Sequence, residues 1–387
     1  MKEEQTVMDV QLAGHHRRTS RRVRVVALAL SLIAALLAVA APTVGAQGSK
    51  IVVGNGESIQ EAIDTADPGT TIVVRGDHVE NLWINKSGIR LIGRDATLRP
   101  ADTGPGSPCS PDPEAQVPLI CVTPESEGPP APADYLDGFA ISGFTLEDAI
   151  GDAIATVFVN NVRIRRNTVN NAGCDGIFVI FATGVDIDRN VVEGSGCSGI
   201  GVSAGSDARI SRNVTTDSMF NGVAVNDVAN SRVGRNIATN NCIGIGVIDG
   251  LDEGYGIGAD EFDGSRTRIK GNTTSDNNKT CPFGPDFMIG LTGIIVGGVD
   301  DVLIRNNTAE NNASSEESVS AGGIVVTDFP NFDGSLSPTT GVTVRGNRAT
   351  GNSSANGPLD LRIESEDIRT VRGNACDVSA PDPDWCN

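Results

Sequence analysis

The densest group of acidic side chains in the chain lies between residues 227 and 263. Asp227 and Asp249 each follow a short apolar segment, and Asp252 and Glu253 stand in the acidic stretch that comes next. If the two apolar segments are neighbouring strands, the carboxylates of Asp227 and Asp249 lie ~5 Å apart. Two close carboxylates can act as nucleophile and acid in glycoside hydrolysis. They can also hold Ca²⁺ with loop oxygens, and the candidate ligands are then Asp249, Asp252 and Glu253.

Two side chains near these acids could serve as a base. Tyr255 lies in the same acidic stretch, and Lys270 lies in the next apolar segment. With Ca²⁺ masking the carboxylate of a uronate, either of these groups or an Arg could abstract the neighbouring proton, which is lyase chemistry. A solvated acidic loop without a ligand explains the same residues, and their spacing is not that of an EF-hand. If the protein is an enzyme, we expect a polysaccharide lyase rather than a glycoside hydrolase. The catalytic candidates are Asp227, Asp249, Tyr255 and Lys270.

Arginines that recur at a fixed spacing are the candidates for substrate binding. Those directly before an Asn are Arg166, Arg189, Arg212 and Arg235, and those on outward positions of the same segments are Arg163, Arg209, Arg232 and Arg268. Stacked on consecutive strands, they would form a basic ridge on an acidic protein. Guanidinium groups pair well with carboxylate and sulfate groups, so the ridge suits an acidic polymer. The alternative is that these arginines form ion pairs with Asp186, Asp188 and neighbouring acids on a solvated face.

A 23-residue repeat sets the positions of these side chains. Asn167, Asn190, Asn213 and Asn236 follow one another at steps of 23 residues, and the same position recurs at longer steps as Asn272, Asn307, Asn347 and Asn374. A second segment begins nine residues after the Asn, at Gly176, Gly199 and Gly222. Both segments alternate apolar inward residues with others, which indicates strands. Repetition at this period indicates a solenoid.

With these segments the sequence resembles the right-handed parallel β-helix, or pectin-lyase-like, superfamily. The resemblance extends from about Ile51 to Asn374 and implies an all-β fold in which each repeat is one coil. It also implies that the repeated Asn adopts a left-handed backbone conformation and stacks its amide on the next coil. The superfamily includes lyases, hydrolases, epimerases, esterases, adhesins and metal-loading accessory proteins, so the fold leaves the activity open.

Short sequence motifs that are typical of individual families within the superfamily narrow the choice of activity. The sequence has neither the Gly-His-Gly of polygalacturonases nor the Asp-Pro-His-Asp of alginate epimerases. The stretch from Ser58 to Lys86 is similar to the opening coil of the periplasmic carbohydrate-binding and copper-accessory branch. Metal loading through His is not expected, because His78 is the one His after the first 46 residues.

The domain organisation follows from the repeat and its interruptions. We expect one elongated domain of ~10 coils over residues 47–387. The capping box Ser58-Ile-Gln-Glu61 before Ile63 predicts a short helix that covers the N-terminal end. Residues 101–135 and 249–264 are predicted loop excursions, and later excursions fall in the C-terminal half, so a groove is expected there.

Residues 1–46 are predicted to be a signal peptide. A basic region ending at Arg24 precedes the uncharged run Val25–Ala41, and Val44-Gly-Ala46 offers a cleavage site. The run is shorter than the ~20 residues of a membrane span, which disfavours the alternative of an uncleaved anchor. The sequence therefore predicts a secreted, extracellular protein without membrane attachment after cleavage, and it leaves the export route open.

All eight cysteines follow the predicted leader, and an even number in an exported chain indicates disulfides. Cys174 and Cys197 are 23 residues apart, and neighbouring coils lie close enough for a bridge. Proximity in sequence adds three pairs: Cys109 with Cys121, Cys242 with Cys281, and Cys376 with Cys386. Zinc is the alternative, but the sequence has no Cys-x-x-Cys motif.

The charge of the chain limits its partners. A formal net charge of -19 repels nucleic acid and anionic membranes and attracts cations. We expect a monomer that binds or processes acidic polysaccharide or a cell-surface glycan, with Ca²⁺ as the one cofactor considered. The competing hypothesis is a non-catalytic surface or matrix protein that serves as a scaffold.

Overall fold

The computed structural model describes residues 48–101, 108–109, 117–126, 128–250, 264–279, 290–313, 318, 320–330 and 335–387. The predicted signal peptide therefore lies outside the described residues. Within them, no helix is both long and apolar enough to cross a membrane.

The described chain is a right-handed parallel β-helix built from short strands. Its first strands are β1 (Lys50–Val53), β2 (Thr71–Val79), β3 (Leu82–Ile84), β4 (Arg90–Arg99), β5 (Ile120–Val122), β6 (Leu136–Glu147), β7 (Ile154–Val157), β8 (Val159–Arg165), β9 (Thr168–Asn170), β10 (Ile177–Asp188), β11 (Val191–Glu193), β12 (Ile200–Ser211), β13 (Val214–Thr216), β14 (Asn221–Ala229), β15 (Arg232–Gly234) and β16 (Ile237–Thr239). The others are β17 (Ile243–Ile248), β18 (Arg268–Lys270), β19 (Thr273–Ser275), β20 (Thr292–Gly297), β21 (Leu303–Arg305), β22 (Thr308–Glu310), β23 (Gly322–Thr327), β24 (Phe329–Pro330), β25 (Leu336–Ser337), β26 (Val342–Arg345), β27 (Arg348–Thr350), β28 (Ser353–Ser354), β29 (Gly357–Pro358), β30 (Leu361–Ile363), β31 (Ile368–Arg372) and β32 (Ser379–Ala380).

Each coil contributes strands to three faces, and each strand pairs in parallel with its equivalent on the next coil. The Gly face contains β7, the first part of β10 and of β12, and then β14, β17, β20 and β23. The Arg face contains β8, the last part of β10 and of β12, and then β15, β18, β21, β26 and β31. The short-strand face contains β9, β11, β13, β16, β19, β22 and β27.

Alternate residues of the strands fill the interior, as the period of two predicts. On the Arg face, Ile164, Ile187, Ile210, Val233 and Ile269 follow one another on consecutive coils, and each has 0% exposure. Such columns of β-branched side chains form one continuous core. No single coil could bury its apolar face alone, so each coil depends on its neighbours.

The repeated Asn forms a buried ladder along the coil. Asn213 Nδ2 donates to Asn236 Oδ1 (3.1 Å) and to the Ile187 carbonyl (3.0 Å), and its Oδ1 accepts from the main-chain N–H of Asn190 (2.8 Å). Equivalent bonds link the other members: Asn167, Asn190, Asn272, Asn307, Asn347 and Asn374. The predicted stacking of the amides is therefore present.

The expected left-handed conformation of these Asn residues is wrong, because the residue before each Asn adopts it. Arg166, Arg189, Arg212 and Arg235 have φ between 55° and 59°. A left-handed residue bends the chain from the Arg face to the short-strand face, and the following Asn then points its side chain into the core. The ladder therefore requires a turn one residue earlier than the sequence suggested.

A second ladder, which the sequence analysis missed, stabilises another corner. Asn241 Nδ2 donates to Asn277 Oδ1 (3.1 Å), and the same contact continues through Asn312 and Asn352 to the carboxylate of Asp360. These side chains have at most 2% exposure. Each Asn of this ladder lies five residues after a member of the first ladder, and this constant offset was the available signal.

A helix and disulfides add to the solenoid. Helix α1 (Ile59–Thr65) begins as predicted, with Ser58 Oγ accepting from the Glu61 N–H at 3.1 Å, and it buries Ile59 and Ile63. Two short 3₁₀ helices span Pro132–Asp134 and Pro383–Trp385. The predicted bridges Cys109–Cys121, Cys174–Cys197 and Cys376–Cys386 are present. Cys242 is also disulfide-bonded, and its predicted partner, Cys281, lies outside the described residues.

Replacing a ladder residue should destabilise the fold far more than replacing an outward Asn. In Asn213→Ala, the amide and carbonyl groups bonded to its side chain remain buried without partners, so we expect a loss of roughly 3 kcal/mol in unfolding free energy. Asn170 occupies an outward strand position, and its side chain forms no hydrogen bond among the described residues. Asn170→Ala should therefore lower the unfolding free energy by less than ~1 kcal/mol. Denaturant unfolding measures both, and equal losses would contradict the role assigned to the ladder.

Candidate functional site

The two predicted catalytic carboxylates lie at the edge of an excursion. Asn226 and Ile248 are in register on β14 and β17, so Asp227 and Asp249 occupy equivalent positions on neighbouring coils. Asp227 has 0% exposure, and its Oδ1 accepts from the Gly250 N–H at 2.8 Å. Asp249 Oδ1 accepts from the Gly264 N–H at 3.0 Å. The two carboxylates therefore hold the residues that precede and follow the stretch 251–263. Their catalytic assignment stays a prediction.

Of the other members of the predicted site, Lys270 alone lies among the described residues. Asp252, Glu253 and Tyr255 lie outside the described residues, so the Ca²⁺ site stays a prediction. Lys270 ends β18 on the Arg face and is exposed, whereas Asp249 directly follows β17 of the Gly face. The two side chains therefore belong to different faces of the solenoid.

One close group of possible metal ligands was found among the described residues, and it is not a metal site. It consists of Cys174, Asp175 and Cys197, and the two cysteines are joined in a disulfide. A disulfide sulfur does not offer the thiolate that metals bind.

The outward side of the Gly face is apolar and buried in the C-terminal half. Ala224, Ile295 and Val325 occupy outward positions with exposures of 3%, 2% and 0%. Ile295 and Val325 belong to a second hydrophobic cluster that also contains Ile248 and Phe329. The sequence predicted a groove in this half of the chain, but these positions of the Gly face do not form one.

The Arg face carries a basic stripe, which is the clearest candidate binding surface. Its members are Arg209, Arg232, Arg235, Arg268, Lys270, Arg305, Arg345 and Arg372. Arg209, Arg232 and Arg268 are in register on consecutive coils, and Lys270, Arg305, Arg345 and Arg372 continue the series two residues further along the strands. Arg305 and Arg345 are half-buried and the others are exposed. Charges in each series therefore repeat once per coil, at ~4.8 Å.

None of the stripe residues forms an ion pair within the described part of the chain. Three other arginines near the Arg face behave differently. Arg165 pairs with Asp186, and Asp188 pairs with Arg189 (2.9 Å) and Arg212 (2.6 Å). Of the three predicted binding residues, Arg189 and Arg212 are therefore ion-paired with Asp188. Arg235 belongs to the basic stripe, whose members form no ion pair among the described residues.

Asp188 shows how this pairing affects a carboxyl group. Burial alone would raise its pKa, but hydrogen bonds from Ser211 and Arg212 and the charges of Arg212 and Arg189 outweigh burial. The pKa of Asp188 therefore lies below its usual value, so the carboxylate stays charged and holds both arginines.

A carboxyl pair that the sequence analysis missed lies before the Gly face. Asp152 Oδ1 accepts from the Asp175 N–H (2.9 Å), and Asp175 Oδ1 accepts from the Ser198 N–H (2.6 Å). Burial raises the pKa of Asp152 to about 6. Burial and then the charge of Asp152 raise the pKa of Asp175 well above its usual value. The separation of 23 residues between the two aspartates was the available signal.

Comparisons with known proteins agree with this fold. A family model described as periplasmic copper-binding protein (NosD) matches residues 133–255, which is less than half of the chain. No curated protein matches the sequence. The A-module of mannuronan C-5 epimerase AlgE4 from Azotobacter vinelandii has a TM-score of 0.53 at 16% identity, covering 85% of this chain and 96% of that one. The AlgE6 A-module from the same organism has a TM-score of 0.53 at 13% identity, covering 87% of this chain and 92% of that one. At such identities the likeness concerns the fold alone.

The carboxyl pair should make stability depend on pH. Both folded-state pKa values lie above the usual value of 3.8, so the folded state binds these protons more tightly. Their contribution to the unfolding free energy is therefore greatest below pH ~4 and declines as pH rises through about 6. Asp175→Asn keeps an acceptor for Ser198 and removes the charge, so it should stabilise the protein at pH 7.5 by about 1–3 kcal/mol and have little effect at pH 4.

Chemical unfolding at both pH values tests this expectation. The matched control is Asp67→Asn, an exposed carboxyl on another coil, which should change stability equally at the two pH values. An Asp175→Asn variant that is less stable than the wild type at pH 7.5 would show that the carboxylate is needed in its charged form.

Proposed function

We propose that this right-handed parallel β-helix protein is exported and binds acidic polysaccharide along its Arg face. The observation that carries the proposal is the basic stripe. Eight basic side chains line one face of a protein with net charge -19, and none of them is neutralised by a described carboxylate. Ion pairs would be expected in such an acidic chain if the face had only a structural role.

The geometry of the stripe favours a linear polymer that lies parallel to the solenoid axis. In-register guanidinium groups ~4.8 Å apart repel one another unless anions lie between them. A chain of uronate or sulfated sugars carries anionic groups at a regular spacing and can bind several arginines through paired hydrogen bonds. The negative field of the rest of the protein disfavours nucleic acid, whose charge density is much higher.

Support from other proteins is limited to the fold. The two structural neighbours are named for mannuronan, a polysaccharide, but at 16% and 13% identity that likeness does not identify a ligand. Copper is not part of the proposal, since the ring nitrogens of buried His78 lie 3.0 and 3.1 Å from the carbonyl oxygens of Glu57 and Arg75. The described residues therefore include no histidine available to bind the copper for which the NosD family is named.

Binding is preferred to catalysis because of where the candidate groups lie. Asp227 has 0% exposure and cannot contact a polymer without a rearrangement. Lys270 is exposed within the stripe, so a uronate bound there would place it near the proton that a lyase removes. A lyase with Lys270 as its base is therefore the second candidate, and Asp249, which lies on another face, would not be its Ca²⁺ ligand.

Removing two stripe charges should weaken binding of polygalacturonate at low salt. Each charge-assisted hydrogen bond contributes ~1.5–3 kcal/mol, so we expect Arg268→Ala with Arg305→Ala to raise the Kd at least ~10-fold. The matched control is Arg99→Ala with Arg348→Ala, which removes one half-buried and one exposed arginine associated with the short-strand face. Isothermal titration calorimetry measures both variants, and the affinity of the wild type should fall as salt increases.

Two outcomes would change the proposal. Equal loss of affinity in the two double variants would mean that net charge, and not the stripe, decides binding. Ultraviolet absorbance of an unsaturated sugar product, formed with Ca²⁺ and absent in Lys270→Ala, would establish the lyase instead of a binding protein.

A further inference from the structure

A column of corner residues between the short-strand face and the Gly face is interrupted by a glycine. The column contains Asp148, Asn171, Gly194, Asp217 and Asn240, and each has a left-handed backbone with φ between 55° and 76°. Asn171 Nδ2 donates to Asp148 Oδ1 at 3.1 Å, and Asn240 Nδ2 donates to Asp217 Oδ1. The polar side chains are thus paired on both sides of Gly194, where the side chain is missing.

The missing side chain opens a cleft. A Cβ atom on Gly194 would lie 2.9 Å from Asn171 Oδ1, so this oxygen faces the space that a side chain would fill. The cleft has a volume of about 680 Å³ and reaches from Asp148 to Asp217 and Lys279. A second cleft of about 460 Å³ shares Asp148 and Asn171 and extends towards Glu193. Together they form a trough across neighbouring coils.

The floor of the cleft is formed by small residues, and one of its ends is apolar. Gly173 and Gly196 line it on consecutive coils. Met219 lies one coil further, also lines the cleft and is 48% exposed. The trough therefore combines one apolar end with a polar edge of carboxylate and amide groups.

We propose that this cleft binds an uncharged pyranose, as a terminal or branch sugar of a glycan. Carboxylate and amide oxygens of Asp148, Asn171 and Asp217 can accept hydrogen bonds from vicinal hydroxyl groups. The side chain of Met219 can pack against the C–H face of the ring. The proposal concerns a site on a different corner from the basic stripe, and it holds whether or not the stripe binds a polymer.

The local charges exclude an acidic sugar. Asp148, Asp217, Glu147 and Glu193 line the two clefts, and Lys279 is the one basic residue that lines them. Lys279 Nζ is already 3.0 Å from Asp217 Oδ1. Glu147 is paired with Arg99, so Asp148 and Glu193 are the two of these carboxylates that form no ion pair among the described residues. A uronate in this space would be repelled by Asp148 and Glu193, whereas the hydroxyl groups of a neutral sugar could donate hydrogen bonds to them.

Filling the gap tests the site without removing any of its polar groups. Asn is found at the equivalent corner positions 171 and 240 with the same left-handed backbone, so Gly194→Asn should fold normally. Its side chain would occupy the cleft and need only a small shift of the Asn171 amide. We expect at least a ~10-fold loss of affinity for a neutral trisaccharide.

The matched control is Gly184→Asn at another corner. Gly184 has φ 78°, and a Cβ there would lie 2.8 Å from Asn161 Oδ1, so its backbone and its neighbour reproduce the surroundings of Gly194. This variant should keep both the melting temperature and the sugar affinity of the wild type.

The probes are mannotriose, cellotriose and galactotriose, with trigalacturonate as the acidic counterpart, measured by saturation-transfer NMR and calorimetry. Binding of a neutral trisaccharide that is lost in Gly194→Asn and kept in Gly184→Asn supports the site. The proposal is overturned if the wild type binds none of the neutral trisaccharides, if Gly194→Asn binds as well as the wild type, or if trigalacturonate binds more tightly in the cleft.

Discussion

Hydrogen bonds between buried Asn side chains on consecutive coils hold the register on which the rest of this structure depends. Each ladder amide donates to the next coil and to a carbonyl of the coil before, and it accepts from a main-chain N–H. In a core without water, shifting one coil by a residue would leave all these groups unsatisfied. The register is therefore strict, and equivalent outward residues must stand in columns ~4.8 Å apart.

Because equivalent residues stand in columns, charged side chains meet the side chains at the same position of the next coil. These neighbours determine whether a charge is paired and whether a pKa is raised or lowered. Asp188 meets Arg212 and Ser211, so its pKa is lowered despite burial. Burial raises the pKa values of Asp152 and Asp175, and the charge of Asp152 adds to the rise at Asp175, while hydrogen bonds from main-chain N–H groups oppose it only in part. The basic stripe is the third case, in which arginines meet arginines on an exposed face. This repulsion does not contribute to stability, and an external polyanion would relieve it.

The corners of the coil decide where ligands can approach. At the corner between the short-strand face and the Gly face, the left-handed positions hold Asp, Asn or Gly, the residue types that adopt this conformation most readily. Where Asp and Asn alternate, their side chains pair and close the corner, as Asn171 does with Asp148. At Gly194 the pairing stops, and Gly173 and Gly196 on the neighbouring column leave the cleft open. One turn geometry therefore produces both closed and open corners, depending on a single side chain.

The sequence by itself determined the coil, its first Asn ladder and the Cys174–Cys197 bridge, because a constant step of 23 residues places equivalent positions on adjacent coils. It did not identify the second ladder, because that position holds Ala172, Ser195 and Ser218 on the regular 23-residue coils and becomes Asn only from Asn241 onwards. Only the tertiary structure decided that Asp227 is buried against Gly250, that Asp188 neutralises Arg212 while Arg235 stays unpaired, and that Gly194 opens a cleft. Burial and pairing depend on side chains of neighbouring coils, and spacing along the chain does not record which way those side chains point.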